Sequence, residues 1–173
     1  MDYYPNIEGC VFFVNEVLPR VRSEFPDARF TIVGAHPTPE VERLAQEPGV
    51  TVTGFVDDVR DHMRRASISV APMHIARGIQ NKVLEAMAMG LPVVGTESAT
   101  QGTDGAAGRD FLLADDAEPF AEAVLGLLRD PGRARELGAQ GRRFVEENYD
   151  WEVVLRPLDR ILTGLPQEEH AAS

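Results

Sequence analysis

The sequence predicts an α/β fold, a Rossmann-like three-layer α/β/α arrangement around a mostly parallel sheet. Three observations lead there. Short apolar runs, such as Phe30-Thr31-Ile32-Val33 and Leu91-Pro92-Val93-Val94, alternate with segments of helical spacing. Most of these runs close at a glycine or proline: Gly34, Gly54, Pro72 and Gly95. The segments between them are long enough to carry the crossover helices that parallel strands require.

Each element has a local reason. Ile7, Val11, Val14, Leu18 and Val21 recur at helical spacing, which predicts a helix over roughly 6–24 with Pro5-Asn6 at its start. Arg29 to Gly34 reads as a buried strand. Pro37 to Gln46 reads as a helix, with Thr38 as N-cap, Pro39 in the first turn, and Glu40 and Glu42 at the positive end. Val50 to Thr53 is the next strand, and Val59 to Arg65 a short helix entered through Asp57-Asp58, which read as a cap rather than a catalytic pair. Ile68 to Ala71 is a third strand. A loop from His74 to Gln80 leads to a helix from Asn81 to Met89, with Gly90 as its C-cap. Leu91 to Gly95 is the fourth strand. A glycine-rich loop over Ser98 to Gly108 and a strand at Phe111 to Leu113 follow. Helices over about 117–129 and 131–147 are split by Asp130-Pro131-Gly132. A last amphipathic segment carries Trp151, Val154, Leu155, Leu158, Ile161 and Leu162, with Trp151 expected to anchor it.

These elements read as one domain over residues 1–165 and a disordered tail over 166–173. The first element is a helix, although folds of this kind open with a strand. Either the fold begins with a helix, or the sequence starts just after a missing first strand.

Composition narrows the function classes. The 173 residues are 43% hydrophobic and 26% charged, as in a soluble globular protein. A net charge of −11 repels phosphate backbones, which argues against nucleic acid as a partner. Any anionic ligand needs a locally built site. No stretch has the length or apolarity of a membrane span, and no signal peptide is evident at Met1-Asp2-Tyr3-Tyr4-Pro5. The single Cys10 lies in an apolar run and reads as a small core residue, which fits a reducing, cytoplasmic setting. No His/Cys/Asp cluster has metal-ligand spacing, so neither a metal nor another cofactor is expected.

In open α/β sheets, ligands bind beyond the carboxyl ends of the strands. Here those ends are the loops at Gly34-Ala35-His36, Gly54-Phe55-Val56, Pro72 to Gln80 and Thr96 to Gly102. The densest signal is Arg77-Gly78-Ile79-Gln80-Asn81-Lys82-Val83-Leu84-Glu85. Gly78 lets the backbone approach a ligand, and the helix start beyond it offers free N–H groups to a phosphate. Arg77 and Lys82 add cations. Glu85, one turn in, either accepts hydrogen bonds from both hydroxyls of a ribose or is a solvated helix residue. His36 reads as a surface residue. His74, just ahead of this stretch, is equally a ligand contact or a structural histidine. Met87 and Met89 read as packing.

The stretch from Arg77 through Glu85-Ala86-Met87-Ala88-Met89-Gly90-Leu91-Pro92-Val93-Val94 resembles the donor-site signature of family 4, group 1 retaining glycosyltransferases of the GT-B fold. Phe30 to Gly34, Val52-Thr53-Gly54-Phe55-Val56-Asp57-Asp58, Ala66 to Pro72 and Leu112 to Asp116 match further motifs of that family in the right order, so the resemblance covers nearly the whole chain. It implies one half of a GT-B fold, binding a nucleotide diphosphate sugar donor and lacking the N-terminal acceptor-binding domain. By resemblance, Glu85 binds the ribose hydroxyls. Gly78, Ile79, Gln80 and Asn81 contact sugar and diphosphate. Gly54, Phe55 and Val56 line the nucleobase, and Thr96 to Gly102 close on the phosphates.

Two departures stand out. Arg77 occupies the place of the family's first motif glutamate, which contacts the transferred sugar; arginine removes an acceptor and adds a diphosphate-binding fork. The Arg and Lys that often clamp the diphosphate after the first strand are absent from Met1 to Asn6, and Arg77 with Lys82 stand in for them. The opening Met-Asp-Tyr and the run Gly78 to Glu85 also resemble a bacterial subgroup linked to exopolysaccharide or exosortase systems. No nucleophile or general base is evident, so the isolated chain is expected to bind nucleotide without turning over an acceptor. Through the other domain, the enzyme could sit at the inner face of the membrane. The alternatives are a non-enzymatic or degenerate nucleotide-binding module and a GT-B-shaped epimerase, for which no clear catalytic set is found.

Overall fold

Among the described residues, 2–150 of a computed structural model, five short parallel strands alternate with eight α-helices. The first helical stretch is α1 (Tyr4–Phe12), a π-helical segment (Phe13–Val17) and α2 (Leu18–Glu24). The single long helix expected there is thus interrupted. Pro19 has no N–H to give the Asn15 carbonyl, and the helix widens just ahead of it, with the Leu18 N–H reaching back five residues to Phe13.

Next come β1 (Phe30–Ile32), α3 (Pro39–Arg43) running into a 3-10 turn (Leu44–Gln46), β2 (Val50–Val52), α4 (Arg60–Met63) and β3 (Ser69–Ala71). Thr38 caps α3 by accepting the Val41 N–H at 3.4 Å. The N-cap of α4 is Val59, which makes no capping bond; Asp58, one residue earlier, accepts the Arg60 N–H at 2.9 Å, and the Arg60 guanidinium against it pulls its carboxyl down to about 2.

The chain continues through α5 (Asn81–Ala88), β4 (Val93–Gly95), α6 (Glu97–Thr100), β5 (Leu112–Leu113), α7 (Ala117–Arg129) and α8 (Pro131–Asn148). After α5, Gly90 takes φ +73° and donates to the Met87 carbonyl, while Leu91 donates to Ala86. This pair of bonds is the glycine-closed end that the sequence predicts. The glycine-rich loop is shorter than expected. Thr96 caps a helical turn, accepting the Ala99 N–H at 3.2 Å, so α6 occupies its beginning. The expectations for Trp151, the final amphipathic segment and the tail lie outside the described residues.

The strands form two hydrogen-bonded ladders rather than one sheet. β1 pairs with β2, and β3-β4-β5 form the second, all parallel. One apolar core nevertheless spans both: Phe13, Val14 and Val17 pack with Ile32 and Val50 of the first ladder, and with Val94 and the α7 residue Phe120. The Phe13 ring lies 4.4 Å from Phe30 and 5.9 Å from Phe120. A second core on the other face joins Ala71 and Val93 to Val83 and Met87 of α5 and Phe144 of α8. Alternation along β3 and β4 sends Ala71 and Val93 to one core, and Val70 and Val94 to the other. The result is three layers, Rossmann-like, with α1, α3 and α7 on one face and α5 and α8 on the other.

Candidate functional site

The carboxyl end of β3 and the starts of α1 and α5 come together. Gly9 of α1 fixes this: a Cβ on it would lie 3.0 Å from the Pro72 carbonyl oxygen, so the helix backbone rests directly on the end of β3. Lys82, in the first turn of α5, donates to the Asn6 side chain of α1 and lies 3.1 Å from the Met73 sulfur. Its amino group therefore stands between the two helix starts. Burial lowers its pKa, and the nearby Glu85 carboxylate opposes that shift.

The start of α5 is open. Its N-cap, Gln80, makes no capping bond and turns its side-chain amide back to the Arg77 and Gly78 carbonyls, at 3.1 and 3.3 Å. Gly78 has φ +64° with nothing within 4 Å of its missing Cβ, so the loop presents bare backbone to the outside. Arg77, Ile79 and Asn81 are exposed, and Glu85 is exposed one turn along the helix. Gly54 likewise has φ +68° and open space around it, and Phe55 beside it is 74% exposed. Val56 is half-buried in the same turn.

Two sequence candidates turn inward. Thr96 is fully buried; its hydroxyl donates to the Met73 carbonyl while capping α6, so it shapes the loop from below. His74 is half-buried with both ring nitrogens engaged: Nδ1 is 2.8 Å from Glu8 Oε1 and Nε2 is 2.9 Å from the Asp115 carbonyl oxygen. Phe12 meets the ring edge-on at 4.6 Å. The Ser98 hydroxyl donates to the His74 carbonyl at 2.8 Å, and Asp115 accepts the Glu97 N–H at 2.8 Å. One histidine thereby joins α1, α6 and the ends of β3 and β5.

Sequence reasoning missed the partners. Nothing local marks Glu8 as the mate of a histidine 66 residues away. Nor does it single out Gly102, where a Cβ would stand 2.4 Å from the Gly78 carbonyl oxygen, because the segment after α6 backs directly onto the α5 loop. The only available signal was the glycine itself. The loop does not line either of two shallow concavities. One, of about 530 Å³, lies between Leu112, Glu122, Gly126 and Arg133, and the other lies along the outer side of α1. The candidate site is an open face. Among the described residues no group of three or more His, Cys, Asp or Glu side chains is placed to hold a metal ion, and no helix is long and apolar enough to cross a membrane.

The family described as "Glycosyl transferases group 1" matches residues 1–130. A GDP-mannose-dependent alpha-(1-6)-phosphatidylinositol monomannoside mannosyltransferase of Mycolicibacterium smegmatis is 28% identical over 169 residues, covering 89% of this chain and 44% of its own. An uncharacterized 44.6 kDa protein of the Klebsiella pneumoniae cps region is 26% identical, covering 84% and 39%. The chain thus spans about two fifths of the length of these curated relatives. Among solved structures, Anabaena HepE in complex with UDP superposes with a TM-score of 0.73 at 16% identity, over 86% of this chain and 44% of that one. The C-terminal domain of a group 1 family glycosyl transferase from Francisella tularensis superposes at 0.64 and 18% identity, over 83% and 78%.

Proposed function

Because the chain belongs to the group 1 family of glycosyl transferases, we propose that it is the donor-binding half of a retaining enzyme that moves a sugar from a nucleotide diphosphate sugar to an acceptor. One observation carries the reading. The uncapped start of α5 stands behind an open glycine loop, with the Lys82 ammonium at its first turn and the exposed Glu85 carboxylate one turn on. Free N–H groups and the positive helix end attract a diphosphate. A carboxylate about 5 Å further along the axis is placed to accept from two vicinal hydroxyls. UDP in the HepE structure and GDP-mannose in the mannosyltransferase name support a nucleotide-linked donor.

The chemistry asked of this half is modest. As the glycosidic bond to phosphate breaks, negative charge grows on the departing diphosphate, and the α5 amides, Lys82 and Arg77 are preorganised to stabilise it without a metal. No nucleophile or general base is assigned here. The reacting sugar would lie against a second, acceptor-binding domain. Tyr3 and Tyr4 at the start of α1 and Ile75 and Ile79 in the loop before α5 are large and exposed, which fits surfaces that another domain covers. A cytoplasmic enzyme of bacterial polysaccharide or glycoconjugate synthesis, working at the inner membrane face through that domain, fits this reading.

Calorimetric titration of this chain with UDP, GDP, UDP-glucose, GDP-mannose and inorganic pyrophosphate tests the proposal. We expect one nucleotide sugar to bind differently from its bare nucleotide, and Glu85→Ala to weaken the nucleotides about tenfold, or ~1.4 kcal/mol, while sparing pyrophosphate. Absence of binding at millimolar concentrations, or equal loss for pyrophosphate, defeats it. Arg77 at the sugar-contacting position favours a second reading, a degenerate nucleotide-binding module. That module would bind nucleotide and nucleotide sugar alike.

A further inference from the structure

Helix α1 holds both ends of the loop that leads into α5. At the far end, Asn6 accepts from the Lys82 amino group. At the near end, Glu8 meets His74 twice: Oε2 accepts the His74 N–H at 3.3 Å, and Oε1 lies 2.8 Å from ring Nδ1. Between these ties the loop leans on the end of α6, where Gln101 donates to the Ala76 carbonyl at 3.3 Å and Gly102 backs onto Gly78. Of the groups in this mount, the imidazole is the one that ordinarily changes charge between about pH 5 and 8. The side chains of His74 and Glu8 are 35% and 26% exposed, so the ring exchanges its proton with solvent.

What faces the ring decides what that proton does. From α1 come the Glu8 carboxylate and the edge-on Phe12. From the end of β5 comes Asp115, whose carbonyl meets Nε2 while its carboxylate accepts the Glu97 N–H of α6. Lys82 of α5 faces Asn6 and the Met73 sulfur instead. An imidazolium satisfies Glu8 and Asp115 together, whereas a neutral ring has one N–H and turns a lone pair to one of these two acceptors. If that acceptor is Glu8, the carboxylate is pushed off both the ring and the His74 N–H, and the loop keeps only its tie at Lys82 to α1. If it is Asp115, the tie to the end of β5 goes. In either tautomer the Glu8 charge stands uncancelled on the helix that also carries Asn6.

Resting on the donor-site reading above, we propose that His74 is a positioning residue whose proton sets the loop before α5, so that a nucleotide sugar binds tightly while the ring is charged and more weakly once it is neutral. A loop fixed in advance loses less freedom on binding, and a diphosphate is repelled less when the Glu8 carboxylate is cancelled. The folded ring holds its proton to above 6.5, so affinity is full near pH 6 and falls as pH rises through the folded value. By reciprocity, donor binding draws a proton onto His74. For a pair this exposed, the effect is a factor of about five.

Calorimetric titration of the chain with UDP-glucose and GDP-mannose from about pH 6 to 8, in two buffers of different ionisation enthalpy, tests it. The diphosphate of these sugars is esterified at both ends, so the ligand takes up no proton of its own in this range. We expect binding about fivefold weaker at the upper pH than at the lower, with net proton uptake near neutrality. His74→Gln should bind with one affinity throughout and take up no proton. In Glu8→Gln the amide oxygen can accept the His74 N–H while the amide nitrogen donates to a neutral ring, so binding should stay tight at about pH 8. A histidine that merely filled space would leave the pH profiles of all three proteins alike. Binding by the unaltered chain that ignores pH or takes up no proton overturns the positioning role and leaves the donor site standing. So does a fall that persists in His74→Gln, which assigns it to Lys82. Failure of both sugars to bind at millimolar concentration near pH 6 removes the donor site and the positioning role together. If His74→Gln does not fold, Glu8→Gln decides: tight binding at the upper pH supports the role, and the same fall as the unaltered chain overturns it.

Discussion

The Nδ1 atom of His74 stands 2.8 Å from Glu8 Oε1 while its Nε2 stands 2.9 Å from the Asp115 carbonyl oxygen. A carbonyl only accepts, and so does an ionised carboxylate. Both contacts are satisfied together when both ring nitrogens carry protons, so the clamp favours the imidazolium. Burial depresses the His74 pKa, but the Asp115 carbonyl and the Glu8 carboxylate outweigh that and raise it above its ordinary 6.5. The folded state thus holds the proton more tightly than the unfolded one. Its contribution to stability is full below about pH 6.5 and is lost as pH rises through the folded value. Thermal unfolding of the chain should show a stability decline over roughly pH 6–8 that flattens in His74→Gln. An unchanged pH profile in the variant would sink the clamp.

Gly102 and the α5 loop are pressed together by their backbones. A methyl group at 102 would meet the Gly78 carbonyl oxygen at 2.4 Å and the Ile79 nitrogen at 2.7 Å, and neither is a flexible side-chain end. Gly102→Ala should cost about 1–3 kcal/mol through overpacking and, by pushing the loop outward, weaken nucleotide binding about tenfold. Calorimetry on the variant, beside its melting temperature, checks both parts.

Two helical glycines make an internal control. At Gly138 of α8 a Cβ would lie 2.1 Å from the Gly90 carbonyl oxygen, in the turn that ends α5, whereas at Gly126 of α7 nothing lies within 4 Å. Alanine favours a helix interior by about 1 kcal/mol over glycine. Gly126→Ala should therefore stabilise by up to about 1 kcal/mol, and Gly138→Ala should destabilise by about 1–3 kcal/mol despite the same propensity gain. Denaturant melts of the two variants should move in opposite directions.

Cys10 should be chemically quiet. Burial pushes its thiol up to about 11, although the nearby Lys82 ammonium opposes the shift. Roughly one molecule in a thousand then carries a thiolate at pH 8. Alkylation by iodoacetamide should be correspondingly slow under native conditions and fast in denaturant. Labelling at the rate of a free thiol would show that the α1–α5 contact opens readily.

The placing of elements was legible where local chemistry dictated it. Thr38 caps α3, Gly90 ends α5 at positive φ, and Pro131 opens α8, each as its residue type demands. The apolar runs became strands because nothing but burial suits them. What escaped had non-local causes. The widening at Phe13–Val17 follows from Pro19 acting on a turn already committed to the core. The turn of α6 was hidden in a glycine-rich stretch because its cap, Thr96, is fixed by the Met73 carbonyl, 23 residues earlier in the chain. Of the candidate site, the loop over 77–82 and the turn at Gly54 could be named from spacing. The inward turn of Thr96 and His74 could not, since a hydroxyl or an imidazole looks the same in sequence whether it meets a ligand or a carbonyl.

The sequence by itself determined the alternation of strand and helix and the caps that bound them. Those properties come from periodicity, glycine and proline, and each is satisfied within a few residues. Only the tertiary structure decided that Glu8 holds His74, that Gly102 backs Gly78, and that the strands fall into two ladders. Each depends on segments far apart in the chain lying alongside one another, by hydrogen bond in the first case and by close backbone approach in the second, and such relations exist only once the layers have closed.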